Sequence, residues 1–183
     1  MTNYKIFNDD CFNVFPDIKD KTINLFLLDL PYAQTACKWD SLIDLEKMWK
    51  EIKRTMKSNA VIVFFCTTKF GNTLINSNPK WFRYDLVWEK SRKVGFLSAN
   101  KMPLRKHEMI YIFKKEKSTY NPQKTEGKPH KVNDRKCEIY TNEIIKGYEH
   151  KGERHPTTIL KYNNPSKSLH RTQKPTDLLE WLI

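Results

Sequence analysis

Asp29-Leu30-Pro31-Tyr32 stands directly behind the apolar run Ile23-Asn24-Leu25-Phe26-Leu27-Leu28. The run is short, bounded by polar residues and carries β-branched and aromatic side chains, which reads as a buried parallel strand. In open α/β sheets ligands bind outside the carboxyl ends of the strands, where the connecting loops diverge. A carboxylate, a rigid proline turn and an aromatic ring are therefore expected to converge on one pocket. That trio suits alkylation of the exocyclic amine of a flipped nucleobase. Such an amine, on adenine N6 or cytosine N4, is a poor nucleophile because its lone pair is delocalised into the ring. The Asp29 carboxylate and the backbone carbonyl of Leu30 can accept both amine hydrogens and draw the nitrogen toward tetrahedral geometry. Pro31 lacks an N–H and fixes its own φ, which favours an open turn. Tyr32 can stack on the extruded base, a contact worth about 1 to 3 kcal/mol. The same tetrapeptide would also serve as a plain turn after a strand.

The elements that must position these residues follow from the pattern around them. Tyr4-Lys5-Ile6-Phe7 reads as a short strand, and residues 12–15 as a helical turn before Pro16. Ile23 to Asp29 is the next strand. Ser41 to Lys57 carries apolar residues at 42, 45, 49, 52 and 56, a helical period, with Ser41 and Asp44 spaced as a capping box. Ala60 to Phe65 is a second buried strand, Phe70 to Asn76 a short helix, Tyr84 to Trp88 a third strand and Met109 to Phe113 a fourth. Strands separated by helices point to an α/β fold with a mainly parallel, doubly wound sheet.

Composition narrows the class. With 183 residues and 39% hydrophobic content, the chain can bury one core. A net charge of +12 and a pI near 9.5 predict association with a polyanion, without separating DNA from RNA. Cys11, Cys37, Cys66 and Cys137 are scattered, with no CxxC pair and no secretory segment at the first residues, which predicts reduced thiols in a cytoplasmic protein. The longest apolar run, Ala60 to Cys66, is too short to span a bilayer.

From Lys114 the character changes. Residues 114–174 hold 15 Lys and Arg against 7 Asp and Glu, so net +8 of the chain's +12 lies there, with Tyr120, Tyr140, Tyr148 and Tyr162 interleaved. This pattern predicts a nucleic-acid-contacting insertion; a solvated basic loop without a partner is the plainer alternative. Arg135-Lys136-Cys137 and residues 150–155 match no zinc-module spacing, so no metal is expected.

Taken in order, these segments resemble the DNA amino-methyltransferases, adenine N6 or cytosine N4, in the permuted β-type arrangement where the catalytic segment precedes the cofactor segment. Asn8-Asp9-Asp10-Cys11 resembles the family's GDC element, with Asp9 where Gly is common. Asp29-Leu30-Pro31-Tyr32 resembles its (D/N/S)PP(Y/F) motif. Leu30 replaces the usual first proline but supplies the same carbonyl. Trp39-Asp40, Trp88-Glu89-Lys90, Pro103-Leu104-Arg105, His107-Glu108 and Tyr120-Asn121-Pro122 follow in the family's order, and Thr172-Gln173-Lys174-Pro175 resembles the TQKP segment. Each tetrapeptide is weak alone; their conjunction and order are specific.

The resemblance implies a Rossmann-like class I S-adenosylmethionine-dependent methyltransferase fold acting on double-stranded DNA. Asp29 and the Leu30 carbonyl would hold the target amine, with Pro31 shaping the turn and Tyr32 stacking. Asp10, Cys11, Asp29, Thr172, Gln173, Lys174 and Pro175 would form the cofactor site, Pro175 opening an apolar helix over residues 176–183. The implied organisation is a catalytic α/β core over 1–113, a target-recognition insertion over 114–167 and a return to the core over 168–183. Adenine is favoured by the DLPY and WEKS style of the match.

One family element is missing from the sequence. A glycine-rich loop near DPFxGSG follows TQKP in the permuted family, whereas the five glycines here, at 71, 95, 127, 147 and 152, form no GxG. The expectation is a fold incomplete at its carboxyl end. Strands of a continuation would lie between the strands at 4–7 and 23–29, leaving an apolar edge along Leu25-Phe26-Leu27 and weak cofactor binding. A homodimer or a completing segment is accordingly a candidate partner. A catalytically incomplete DNA-binding fragment, or a subunit completed by a second chain, remains the alternative to an active enzyme, and RNA methylation is a third reading.

Overall fold

The computed structural model describes residues 3–34, 37, 40–136, 144–170 and 172–183. Trp39, Cys137, Tyr140 and Arg171 lie outside that set. By its internal contacts the chain forms two compact units, one of residues 1–119 with 158–183 and one of residues 120–157.

In the first unit α1 (Cys11–Val14) runs into a 3-10 turn at Phe15–Asp17, followed by β1 (Ile23–Asp29), α2 (Leu45–Thr55), β2 (Met56–Cys66), α3 (Thr68–Ser77) and β3 (Phe82–Val94). β4 (Arg105–Phe113) returns beside β3 as a hairpin. In the second unit β5 (His130–Val132) pairs with β8 (Tyr148–His150) and β6 (Arg135–Lys136) with β7 (Ile144–Ile145), both antiparallel. β9 (Ile159–Tyr162) and α4 (Thr176–Leu182) belong to the first unit.

The five-stranded sheet has the order β1-β2-β4-β3-β9. β1 is parallel to β2 and β3 to β9, while β4 is antiparallel to both of its neighbours. Four strands therefore point one way and β4 alone is reversed. Alternation along β2 splits the core in two. Ile62, Phe64 and Cys66 pack with Trp49, Ile52, Phe70 and Leu74 under α2 and α3. Val63 and Phe65 pack with Leu86, Trp88, Ile110 and Leu178, the last from α4. Helices thus cover both faces, the layering that a mainly parallel sheet requires.

Several expected boundaries shift for local reasons. Tyr4 to Phe7 is not a strand: no ladder partner faces it among the described residues, and Tyr4 and Ile6 are 84% and 82% exposed. α2 starts at Leu45 rather than Ser41, because Asp44 is the N-cap and its carboxylate accepts from Lys47 N. It ends at Thr55, and Lys57 belongs to β2. β3 and β4 extend past the core as a two-stranded ribbon, which alternation in the buried part alone did not reveal. β1 is an edge strand, but its side chains are not bare: Phe26 is buried and Leu25 and Leu27 are half-buried against the second cluster.

Inside the 120–157 unit, Arg154 organises the strands. Its guanidinium donates to the Lys128 carbonyl at 2.8 Å and lies 2.9 Å from His150 Nδ1. The cross-strand pair His130 and His150 stacks at 4.9 Å between ring centroids.

Candidate active site

β1 delivers Asp29 to the carboxyl edge of the sheet, next to Phe65 of β2 in register. The chain then turns sharply. Asp40, itself buried, accepts from Ala33 N at 2.8 Å on one carboxylate oxygen and from Gln34 N at 2.9 Å on the other. That clamp holds Ala33 in the left-handed region at φ 52°, a conformation uncommon for a residue with a Cβ. A second tie runs from Gln34 Nε2 to Thr67 Oγ1 at 2.9 Å, and the same Thr67 caps α3 by accepting from Phe70 N. The turn is therefore fixed both to a later residue of its own loop and to the junction of β2 and α3.

A cleft of about 760 Å³ opens at this edge, within the size range of small-molecule sites. It is lined by the ends of β1, β2 and β3 and by the start of β4, which reaches the same edge because it is reversed. The segment before α4 closes one side. Asp29, Leu30, Pro31, Tyr32, Thr172, Gln173 and Lys174 all line it, bringing together segments that are 145 residues apart at the Lys174 to Asp29 contact. Pro175 is buried behind it as the N-cap of α4. Asp10 and Cys11 are not in the cleft lining: Asp10 caps α1, accepting from Phe12 N at 2.8 Å, and Cys11 is exposed.

A compact charge network sits at the centre. Lys174 Nζ lies 2.8 Å from Asp29 Oδ2 and 3.1 Å from Glu108 Oε1, and Lys90 Nζ lies 2.6 Å from Glu108 Oε2. The Tyr32 hydroxyl is within hydrogen-bond distance of both acids, 3.0 Å from Asp29 Oδ1 and 2.9 Å from Glu108 Oε1. It has one proton and can donate to only one of them at a time. Burial, followed by the charges of Glu108 and Asp29, pushes the Tyr32 phenol far above its ordinary value, so it stays a donor. Burial also opposes ionisation of Glu108, but Lys174 and Lys90 outweigh it and hold the carboxyl below its usual range. Both ammonium groups also sit near aromatic rings, Lys174 at 5.0 Å from Phe65 and Lys90 at 4.6 Å from Trp88. Tyr32 stacks on Phe70 at 5.3 Å, so one face of its ring is occupied from within.

Glu108, Lys90 and Asp40 had no assigned role in the sequence reading. A signal existed for two of them, since Lys90 follows and Glu108 precedes an apolar strand core on one hairpin, where a charge must either leave the sheet or find a partner. Asp40 gave no such sign; its function depends on the turn it folds back to hold.

A family model described as DNA methylase, covering N6 and N4 methyltransferases, matches residues 23–183. The chain belongs to this DNA methylase family. Its fold is the S-adenosylmethionine-dependent methyltransferase fold seen in solved structures. The crystal structure of the M1.HpyAVI–SAM complex superposes with a TM-score of 0.55 at 17% identity, covering 96% of this chain and 74% of that one. PvuII DNA methyltransferase, which is cytosine-N4-specific, gives a TM-score of 0.62 at 12% identity, covering 95% and 67%. A search of curated protein sequences found no significant match. No helix among the described residues of the methylase is long and apolar enough to cross a membrane.

Proposed function

We propose that this methylase transfers a methyl group to the exocyclic amine of a base extruded from double-stranded DNA, with adenine N6 as the target and S-adenosylmethionine as donor, in a cytoplasmic setting. The observation that carries the reading is the meeting of Asp29 and Tyr32 with Thr172, Gln173 and Lys174 in one cleft. The donor set suits the cofactor: hydroxyl, amide and ammonium groups from Thr172, Gln173 and Lys174 answer a carboxylate, and Asp29 and Glu108 answer cationic groups. Bound there, S-adenosylmethionine supplies an electrophilic methyl on a sulfonium centre.

The chain's own residues prepare the amine. Asp29 Oδ2 is engaged by Lys174 and Oδ1 by Tyr32, but each carboxylate oxygen has two lone pairs, so room remains for an incoming N–H. When the Tyr32 proton swings to Glu108, Oδ1 gains a further acceptor site. The Leu30 carbonyl takes the second amine hydrogen. The proton released as the nitrogen is methylated passes to the Asp29 carboxylate and then to water. Lys174 fixes the position of Asp29, and Glu108 fixes Lys174 and Tyr32. Leu30 suits this turn because its side chain packs against the first core cluster.

The test is incorporation of labelled methyl from S-adenosylmethionine into duplex DNA, with RNA as the parallel substrate and nucleoside analysis of the product. N6-methyladenine in DNA, lost in Asp29→Ala, is the expected result. N4-methylcytosine would reassign the base, and methyl only in RNA would overturn the substrate.

A further inference from the structure

The β3–β4 hairpin carries a feature that the methyl-transfer chemistry leaves unused. Past Lys90 the ribbon leaves the core, turns at Gly95 with φ 94° and closes through a 3-10 turn at Phe96–Ser98. The turn is well hydrogen-bonded, with Ser98 N donating to the Gly95 carbonyl at 2.9 Å and Met102 N to the Ser98 carbonyl at 3.0 Å. Its tip nevertheless presents large apolar side chains to solvent: Phe96 is 82% exposed, Leu97 98% and Met102 61%. Isolated exposed apolar residues are ordinary, but several on one projecting turn mark an interaction site.

The charge around the tip identifies the partner. Residues 90–107 contain six Lys and Arg and no Asp or Glu. Arg92 and Lys93 flank the tip on the outgoing side and Lys101 and Arg105 on the returning side, all exposed. By contrast, the 120–157 unit holds eight Lys and Arg against six Asp and Glu, a net charge of only +2. Lys90 and Lys106 are paired with Glu108 and Glu89, but Arg92, Lys93, Lys101 and Arg105 are not balanced within the hairpin, so a second copy of the chain would bring four like charges against four. A polyanion with an apolar interior is the complementary surface, and a stacked nucleic-acid duplex is one.

The geometry points to this hairpin as a wedge that enters DNA beside the target base. Val94, Arg105 and His107 line the same cleft as Asp29, so the ribbon starts at the cleft rim. Leu97 lies three residues beyond Val94, a reach of up to about 10 Å. Phe96 and Leu97 insert between base steps, a use of apolar side chains that unstacks and kinks a duplex. Arg92, Lys93, Lys101 and Arg105 grip the flanking phosphates, and the gap left by the extruded base is filled from the rim. This rests on the DNA-methylation reading above.

The test compares the full chain binding two short fluorescein-labelled duplexes, one fully paired and one with a single abasic site, by fluorescence anisotropy at several salt concentrations. Because a missing base removes the stacking that the wedge must break, the parent should bind the abasic duplex about tenfold more tightly. Phe96→Ser with Leu97→Ser should erase that preference while leaving paired-duplex affinity within about twofold, since phosphate contacts dominate non-specific binding. Arg92→Ala with Lys93→Ala and Lys101→Ala should weaken binding to both duplexes and reduce the salt slope by about 2 to 3. Thermal melting of each variant checks the fold, and exposed positions should leave it unchanged. The wedge is overturned if the parent shows no preference, if the serine variant keeps it, or if that variant only converts a dimer to a monomer in sedimentation. Methyl incorporation measured on the same preparation separates the two claims. Incorporation without the preference removes the wedge alone, and the preference without incorporation removes the methyl-transfer reading alone.

Discussion

Replacing Glu108 with Gln is a stringent probe of the site, because the change is isosteric and alters only charge and donor capacity. The carboxylate now serves Lys90 at 2.6 Å, Lys174 at 3.1 Å and the Tyr32 hydroxyl at 2.9 Å. An amide keeps one acceptor oxygen and turns the other position into a donor aimed at an ammonium group. Lys174 retains Asp29 at 2.8 Å, while Lys90 is left with the face of Trp88 at 4.6 Å. The side chains of Lys90 and Glu108 are only 16% and 10% exposed, so the loss is that of breaking a buried pair, about 3 to 5 kcal/mol. For a chain of this length that lowers Tm by about 6 to 20 °C.

The pH dependence fixes the sign. The folded carboxyl titrates below its ordinary value of 4.5, so its stabilisation is fully present above that pH and is lost as pH falls through the lowered folded value. The gap in melting temperature between parent and E108Q should be constant near neutrality and close in acid. Adding Lys90→Met should recover much of the loss, since removing both partners of a buried pair costs far less than removing one. Scanning calorimetry across pH measures all three. A neutral-pH Tm for E108Q within about 2 °C of the parent, or a gap that persists unchanged in acid, would refute the reasoning.

Asp40→Ala should free the Ala33 and Gln34 amides and let the turn relax, lowering methyl transfer about 100-fold in a steady-state assay, the penalty of a displacement near 1 Å at a reacting group. Gly71→Ala would place a Cβ 2.3 Å from Tyr111 Cε2 in a packed core, and denaturant unfolding should show about 1 to 3 kcal/mol of lost stability. Burial, then Glu108 and Asp85, push the Cys66 thiol up to about 12. Iodoacetamide at pH 8 should therefore spare Cys66 in the native protein while labelling the exposed Cys11 and Cys37, as peptide mass mapping would show.

The sequence made the buried strands legible because each is a short apolar run with abrupt polar ends, as at 23–28 and 60–66, and it placed DLPY at a strand terminus for the same reason. It exposed much less where structure depends on distant partners. The 4–7 segment has the composition of a strand but no ladder to join among the described residues. β9 is four residues long, and its place beside β3 is set by Leu160 entering the second core cluster and by Trp88 Nε1 donating to the Tyr162 carbonyl at 2.8 Å. The reversal of β4 was equally hidden, since an apolar run has the same composition in either direction. Glu108 and Lys90 were visible as letters beside strands, yet their pairing follows only from that reversal. The charge total was clear from composition, whereas its distribution between the hairpin and the 120–157 unit depends on where the chain folds into separate bodies.

The reversed strand also explains why the site and the basic arm share one element. Had β4 run parallel to its neighbours, a crossover connection would separate it from β3, and Glu108 would lie at the opposite edge of the sheet. Antiparallel pairing instead sets Trp88 opposite Glu108 and Glu89 opposite His107, at the end where β1 delivers Asp29. Lys90 is then two residues from the position facing Glu108, close enough to neutralise it, and Lys106 reaches Glu89 at 3.0 Å. With those acids paired at the base of the ribbon, the cations beyond them face no carboxylate of their own strands. A single hairpin thus balances charge inside the cleft and leaves positive charge outside it. Glu108 therefore ties together the Lys174 that holds Asp29, the proposed acceptor, and the Lys90 at the base of the ribbon. Loosening that tie should reduce methyl transfer and discrimination between paired and abasic duplex together.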